Sequence, residues 1–124
     1  MKGCEDIIGV FFHSILQIKL YHWQTRSFSR HKATDQLFAD IVALSDTFVE
    51  AFIGRYKRPH FPEGLQISMN EISDTEAVTF LQEFANFLRK DIPKYLKSSD
   101  TDLLNIRDEM LQKINGTLYL FTLQ

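Results

Sequence analysis

The chain has little of what would mark it as secreted, membrane-bound or strongly charged. Its 124 residues include a single cysteine, Cys4, which excludes an internal disulfide and suits a reducing, intracellular compartment. No apolar run approaches the length that spans a bilayer, and the N-terminus does not read as a secretory signal, so no membrane association is expected. Neither sign of charge dominates. Fourteen Lys and Arg against 16 Asp and Glu leave a net charge of −2, which gives no global drive toward nucleic acid. Internal repeats and low-complexity tracts are absent. Prolines number three and glycines five, so chain breakers are few, and Pro59, Pro62 and Gly64 fall close together.

What remains is apolar material in helical register. Hydrophobic residues make up 44% of the chain and include eleven Phe, enough for the core of one domain over residues 1–124. The spacing of Ile7, Ile8, Phe11, Phe12, Ile15, Ile18 and Trp23 predicts a first helix from about Cys4 to Ser27. A second runs from about His31 to Tyr56, with Leu37, Phe38, Ile41, Val42, Leu44, Phe48, Val49 and Phe52 on one arc. Ser73 and Glu76, in capping-box spacing, open a third, whose apolar face continues to Ile92 before Pro93 kinks or ends it. A fourth follows Ser98-Ser99-Asp100 and carries Leu103, Ile106, Met110, Ile114 and Phe121 to the C-terminus.

The link between the second and third helices, about fifteen residues, is long for adjacent antiparallel helices. Extended, it reaches roughly 50 Å, more than the roughly 39 Å of the second helix. It can therefore cross the whole bundle and set helices two and three parallel. One such crossover is the mark of ferritin-like bundles rather than of simple up-down ones.

The chemistry is concentrated between His22 and Glu50. His31 and Asp35 are four apart, as are Asp46 and Glu50, so each pair shares a helix face. Asp35, Ala39, Asp46 and Glu50 form one narrow stripe at the edge of the apolar arc. Histidine with carboxylate suits iron(II) or zinc. His22 lies inside the apolar arc of the first helix, as either a hydrogen-bonded core residue or a ligand. A short break, Ser27–Arg30, can turn both imidazoles toward one spot.

One helix cannot close such a site, because Asp35 and Asp46 sit roughly 16 Å apart along it while metal–oxygen bonds span about 2 Å. A second copy, antiparallel across a two-fold axis, would bring its Asp46 and Glu50 beside the first copy's His31 and Asp35. The sequence permits this arrangement; a solvated acidic flank is the alternative. The Glu-x-x-His motif of intra-bundle di-iron sites is missing, since Val10, Lys19, Phe28 and Lys57 precede the four histidines by three.

The pair His22-Trp23, then His31 with Asp35 and Asp46 with Glu50, together with the C-terminal segment from Asp100, resembles the Dps-like miniferritins of the ferritin-like superfamily. The turn between His22 and His31 is shorter than is usual there, and a lysine-rich tail is lacking. The resemblance implies an all-α, ferritin-like four-helix bundle with a long crossover between helices 2 and 3. It implies an iron site made by His22, His31 and Asp35 of one chain with Asp46 and Glu50 of its two-fold mate, with zinc as a substitute metal. Iron(II) would be oxidised there by peroxide or dioxygen, a ferroxidase activity, with Trp23 passing electrons. Fe(III) would be stored inside a hollow dodecamer, in protection against oxidative stress, with Asp100, Asp102 and Asp108 at its pores. Short chains of this kind suggest a viral origin. Two other classes stay open. One is a DNA-protecting shell, supported locally by Arg26, Arg30, Lys32, Arg55, Lys57 and Arg58. The other is a helical interaction module with little iron chemistry.

Overall fold

In the computed structural model, which describes residues 3–123, helix α1 spans Cys4–Gln24 and α2 spans Phe28–Arg55. α1 buries Ile7, Ile8, Phe11 and Ile18 of the spacing read in the sequence, and Tyr21 besides. It stops because Thr25 turns extended, with ψ of 142°. Two residues on, Ser27 is extended too, and its hydroxyl accepts the Arg30 N–H at 3.2 Å. That is an N-cap, so α2 begins at Phe28 and not at His31. The break is residues 25–27, tighter than the sequence suggests. The two helices form an antiparallel hairpin, with Phe11 and Phe48 edge to face at 5.6 Å between them.

The crossover, residues 56–73, runs beside α1 from its start to its end. The His60 N–H donates to the Glu5 carboxylate at 2.7 Å. Further along, His13 Nδ1 meets the Ser68 carbonyl at 2.9 Å, and Gln17 donates to the Asn70 carbonyl at 2.8 Å. Gln24 then donates to Glu71 at 2.7 Å. A turn closed by the Gly64 N–H on the Phe61 carbonyl needs the left-handed φ of 81° that Gly64 adopts. Side chains of α1 thus satisfy backbone groups of the crossover at His60, Ser68 and Asn70.

This path puts the start of α3 (Asp74–Asn86) beside the end of α1, so α2 and α3 run the same way. Ser73 and Glu76 form the reciprocal capping box. Tyr21 donates to the Asp74 carboxylate at 2.7 Å and accepts from Arg30 at 2.9 Å; the Tyr21 hydroxyl holds Asp74 below its usual pKa. α3 does not reach Ile92 as a regular helix. It widens into a π turn at Phe87–Asp91 and tightens into a 3₁₀ turn at Ile92–Tyr95. The Pro93 ring would clash with the carbonyl four residues back in an α-helix, and the wider turn relieves this while Leu88 and Ile92 stay buried.

α4 spans Thr101–Leu120, returns antiparallel against α2, and buries Leu103, Met110 and Ile114. Phe121 ends near Tyr21 and beneath the Arg30 guanidinium, 4.3 Å from its ring. The directions are therefore up, down, down, up. The described residues form four α-helices with no strand. None of these helices is long and apolar enough to cross a membrane.

Asp100 corrects the pore expectation. It is 2% exposed and accepts from Arg55 Nε at 3.0 Å, from the Tyr56 hydroxyl and from the Lys97 N–H at 2.8 Å. These bonds fasten the end of α2 to the start of α4, and the carboxylate cannot line a channel. Asp102 and Asp108 are exposed.

Candidate metal centre

The tight turn at residues 25–27 lays the end of α1 against the start of α2, and the two imidazoles stack there. The rings of His22 and His31 lie 3.9 Å apart, 17° from parallel. His22 Nδ1 sits 2.8 Å from the His31 carbonyl, and His31 Nδ1 sits 3.0 Å from the His22 carbonyl. A carbonyl only accepts, so each Nδ1 carries the hydrogen and each Nε2 keeps its lone pair in the neutral ring. Tying one ring nitrogen to a backbone carbonyl is the usual way a histidine is oriented for metal binding through the other. Thr34, itself buried, adds a hydroxyl 3.1 Å from His22 Nδ1 and donates to the Arg30 carbonyl.

Of the two readings the sequence left open for His22, the structure shows the buried, hydrogen-bonded one, and its Nε2 lies 3.9 Å from Asp35 Oδ1. The Asp35 carboxylate is 66% exposed, so a site here would be covered on one side only. The shortened turn has not displaced His22 from His31. The donor set of two neutral imidazoles and a carboxylate fits iron(II) or zinc. Cys4 is a poor ligand by contrast. Burial, then Glu5, pushes its thiol up to about 11.

Asp46 and Glu50 are not brought to this spot within the chain. Both are exposed on α2, on the same side as Asp35 but about 16 Å along the axis for Asp46. Among the described residues of one chain, no three His, Cys, Asp or Glu side chains gather into a metal-holding group. Trp23 is 68% exposed instead of packing with the apolar face of α1. The Lys19 ammonium lies 5.7 Å over its ring.

Beside Asp46, an apolar groove of about 840 Å³ opens between α1, α2 and the crossover, lined by Ile8, Phe12, Leu16, Val42 and Leu65 among others. Phe12 is 50% exposed and Val42 40%, although helical period assigns both to the core. A period of 3.6 finds an apolar face but not what covers it, and among the described residues of one chain nothing covers this strip. Of the basic residues that could attract DNA, Arg30 is held by Tyr21, by the Asp74 carbonyl and by Phe121, and Arg55 by Asp100. Arg26, Lys32, Lys57 and Arg58 are exposed.

Sequence reasoning missed Lys19 and Thr34 near the histidines. Lys19 precedes His22 by three and Thr34 follows His31 by three, so shared helix faces were the available signal.

Residues 22–121 match the family of unknown function DUF5856, and the chain belongs to that family. The matched span contains His22, His31, Asp35, Asp46 and Glu50. The chain is also 27% identical over 99 residues to the uncharacterized 14.6 kDa protein of the mobD-ri intergenic region of Enterobacteria phage T4, covering 80% of this chain and 77% of that one. No solved structure matches the chain.

Proposed function

We propose that this DUF5856 member is a Dps-like miniferritin. In this reading it is a ferritin-like bundle that takes up iron(II) at sites shared by two chains, oxidises it with peroxide or dioxygen, and stores Fe(III) within a closed homo-oligomeric shell, a dodecamer. The observation that carries the reading is the His22–His31 pair, whose reciprocal Nδ1 bonds leave each Nε2 unprotonated in the neutral ring, that of His22 lying 3.9 Å from Asp35 Oδ1. The up-down-down-up order with its long crossover supports the ferritin-like assignment. The T4 relative supports a viral origin.

A two-fold mate completes the site. Asp46 and Glu50 stand on the acidic stripe with Ala39 and Ala43, small residues that let a second α2 approach. The neighbouring groove offers the apolar surface that such a contact buries, and a two-fold contact makes two sites at once. Each iron(II) gives up one electron; two of them reduce one peroxide, which takes two protons and leaves as two waters. Carboxylates from both chains favour the more highly charged Fe(III) product. Trp23, next in sequence to His22 and largely exposed, stands where single electrons can pass. Zinc would fill the same donors without redox chemistry.

The test is stopped-flow oxidation of iron(II) by a slight excess of peroxide. The protein accelerates it over a protein-free control, and His31→Ala and Glu50→Ala each remove most of the acceleration while the helical circular dichroism stays. Wild-type rates in both variants would refute the ligand assignment.

A further inference from the structure

We propose that Lys19 is a built-in cation of this centre. Its ammonium holds the coordinating oxygen of Asp35 until a divalent metal displaces it, and so it sets the metal affinity. The inference rests on the reading of His22, His31 and Asp35 as ligands.

The geometry is specific to one atom. Lys19 Nζ lies 4.0 Å from Asp35 Oδ1, the same oxygen that lies 3.9 Å from His22 Nε2. A metal bound between that oxygen and that nitrogen would take the ammonium's counterion. The ammonium is also held from the other side. It lies 4.5 Å over the Phe38 ring and 5.7 Å over the Trp23 ring, and the Lys19 side chain is only 28% exposed. Cation–π attraction gives it a perch when Asp35 is taken. A single ammonium position thus serves both the carboxylate and the aromatic faces, and the aromatic contacts remain when Asp35 is taken.

Two consequences follow. Without metal, the lysine compensates the charge of Asp35, and a metal must displace that counterion to bind. With metal, the displaced ammonium stays within a few ångströms of a divalent ion and repels it. Both effects lower affinity, so removing the charge tightens binding and preserving it does not.

Zinc(II), redox-inert, is the probe. It is titrated into the full chain by calorimetry and by emission of Trp23, the chain's one tryptophan. Lys19→Met should bind zinc roughly three- to tenfold more tightly, with Lys19→Arg close to wild type. Zinc should change Trp23 emission in wild type, as the ammonium shifts on its ring, and change it much less in Lys19→Met. Matching thermal melts guard against a folding defect. Equal or weaker zinc binding by Lys19→Met, with wild type binding normally, overturns the role of Lys19 and leaves the ligands standing. Absence of zinc binding in wild type and both variants overturns the metal reading itself, and the role of Lys19 with it.

Discussion

Arg107 gives Leu88 the hydrogen that Pro93 cannot. In the π turn the Ile92 N–H bonds to the Phe87 carbonyl, so Leu88 loses its α-helical partner. The residue that would serve it in π geometry is Pro93, which has no N–H. The Arg107 guanidinium, from α4, donates to the Leu88 carbonyl at 3.0 Å and braces its Nε against Asp108. One side chain thus makes the irregular end of α3 compatible with burial.

Arg107→Ala should leave that buried acceptor without a partner and cost about 1–3 kcal/mol, read as a lower urea midpoint at unchanged slope. Asp108→Ala, which removes only the exposed brace, should cost less than about 0.5 kcal/mol. Equal losses in the two variants would place the stabilisation elsewhere.

Asp100 should give the fold a pH dependence of definite sign. The Tyr56 hydroxyl first, then the Lys97 N–H and Arg55, hold its carboxyl down at about 2, against 3.8 for an ordinary Asp. As pH falls, the unfolded chain takes the proton before the folded one does. The contribution is therefore whole above about pH 4 and fades as the pH falls through about 2. Asp100→Asn should flatten the acid limb of a stability–pH curve and lower stability at neutral pH. An acid limb that survives the change belongs to other carboxylates.

The groove between α1, α2 and the crossover should be an interface between copies. Phe12→Glu or Val42→Glu puts a charge on a half-exposed position, so the single chain should keep its helical signal. Light scattering should nevertheless show assembly lost, and iron oxidation should fall with it, because the site needs both chains. Intact assembly in both variants would move the two-fold contact to another face.

Much of the fold was legible because it depends on local pattern. Helix number, the Ser73 capping box and the length of the crossover all follow from spacing and breakers. Ser27 was legible in principle as a cap, but the neighbouring serines and arginines make the stretch look like loop. The misplacements share a cause. Phe12, Trp23 and Val42 are apolar and in register, and whether an apolar face meets core, partner or water is decided by residues far away in the chain. Asp100 is the same case in reverse. An acid before a helix reads as a cap, and only Arg55 and Tyr56, brought from the end of α2, bury it. For the site, the His31–Asp35 and Asp46–Glu50 spacings mark one face of α2. The reciprocal bonding of His22 and His31 depends on how the turn closes, which no spacing reveals.

Whether the site spans two chains is tested most directly by mixing two inactive variants. One carries Ala at His22, His31 and Asp35; the other carries Ala at Asp46 and Glu50. Assemblies of either alone have every site incomplete and should show only background oxidation of iron(II) by peroxide. Co-expressed and randomly mixed, about half of the two-fold contacts pair one of each, and every such contact holds one native and one wholly mutated site. Oxidation should return to about a quarter of the wild-type rate under that symmetry. Background oxidation in assemblies that tagged pull-downs show to be mixed would contradict a shared site, since neither chain alone carries all five ligands.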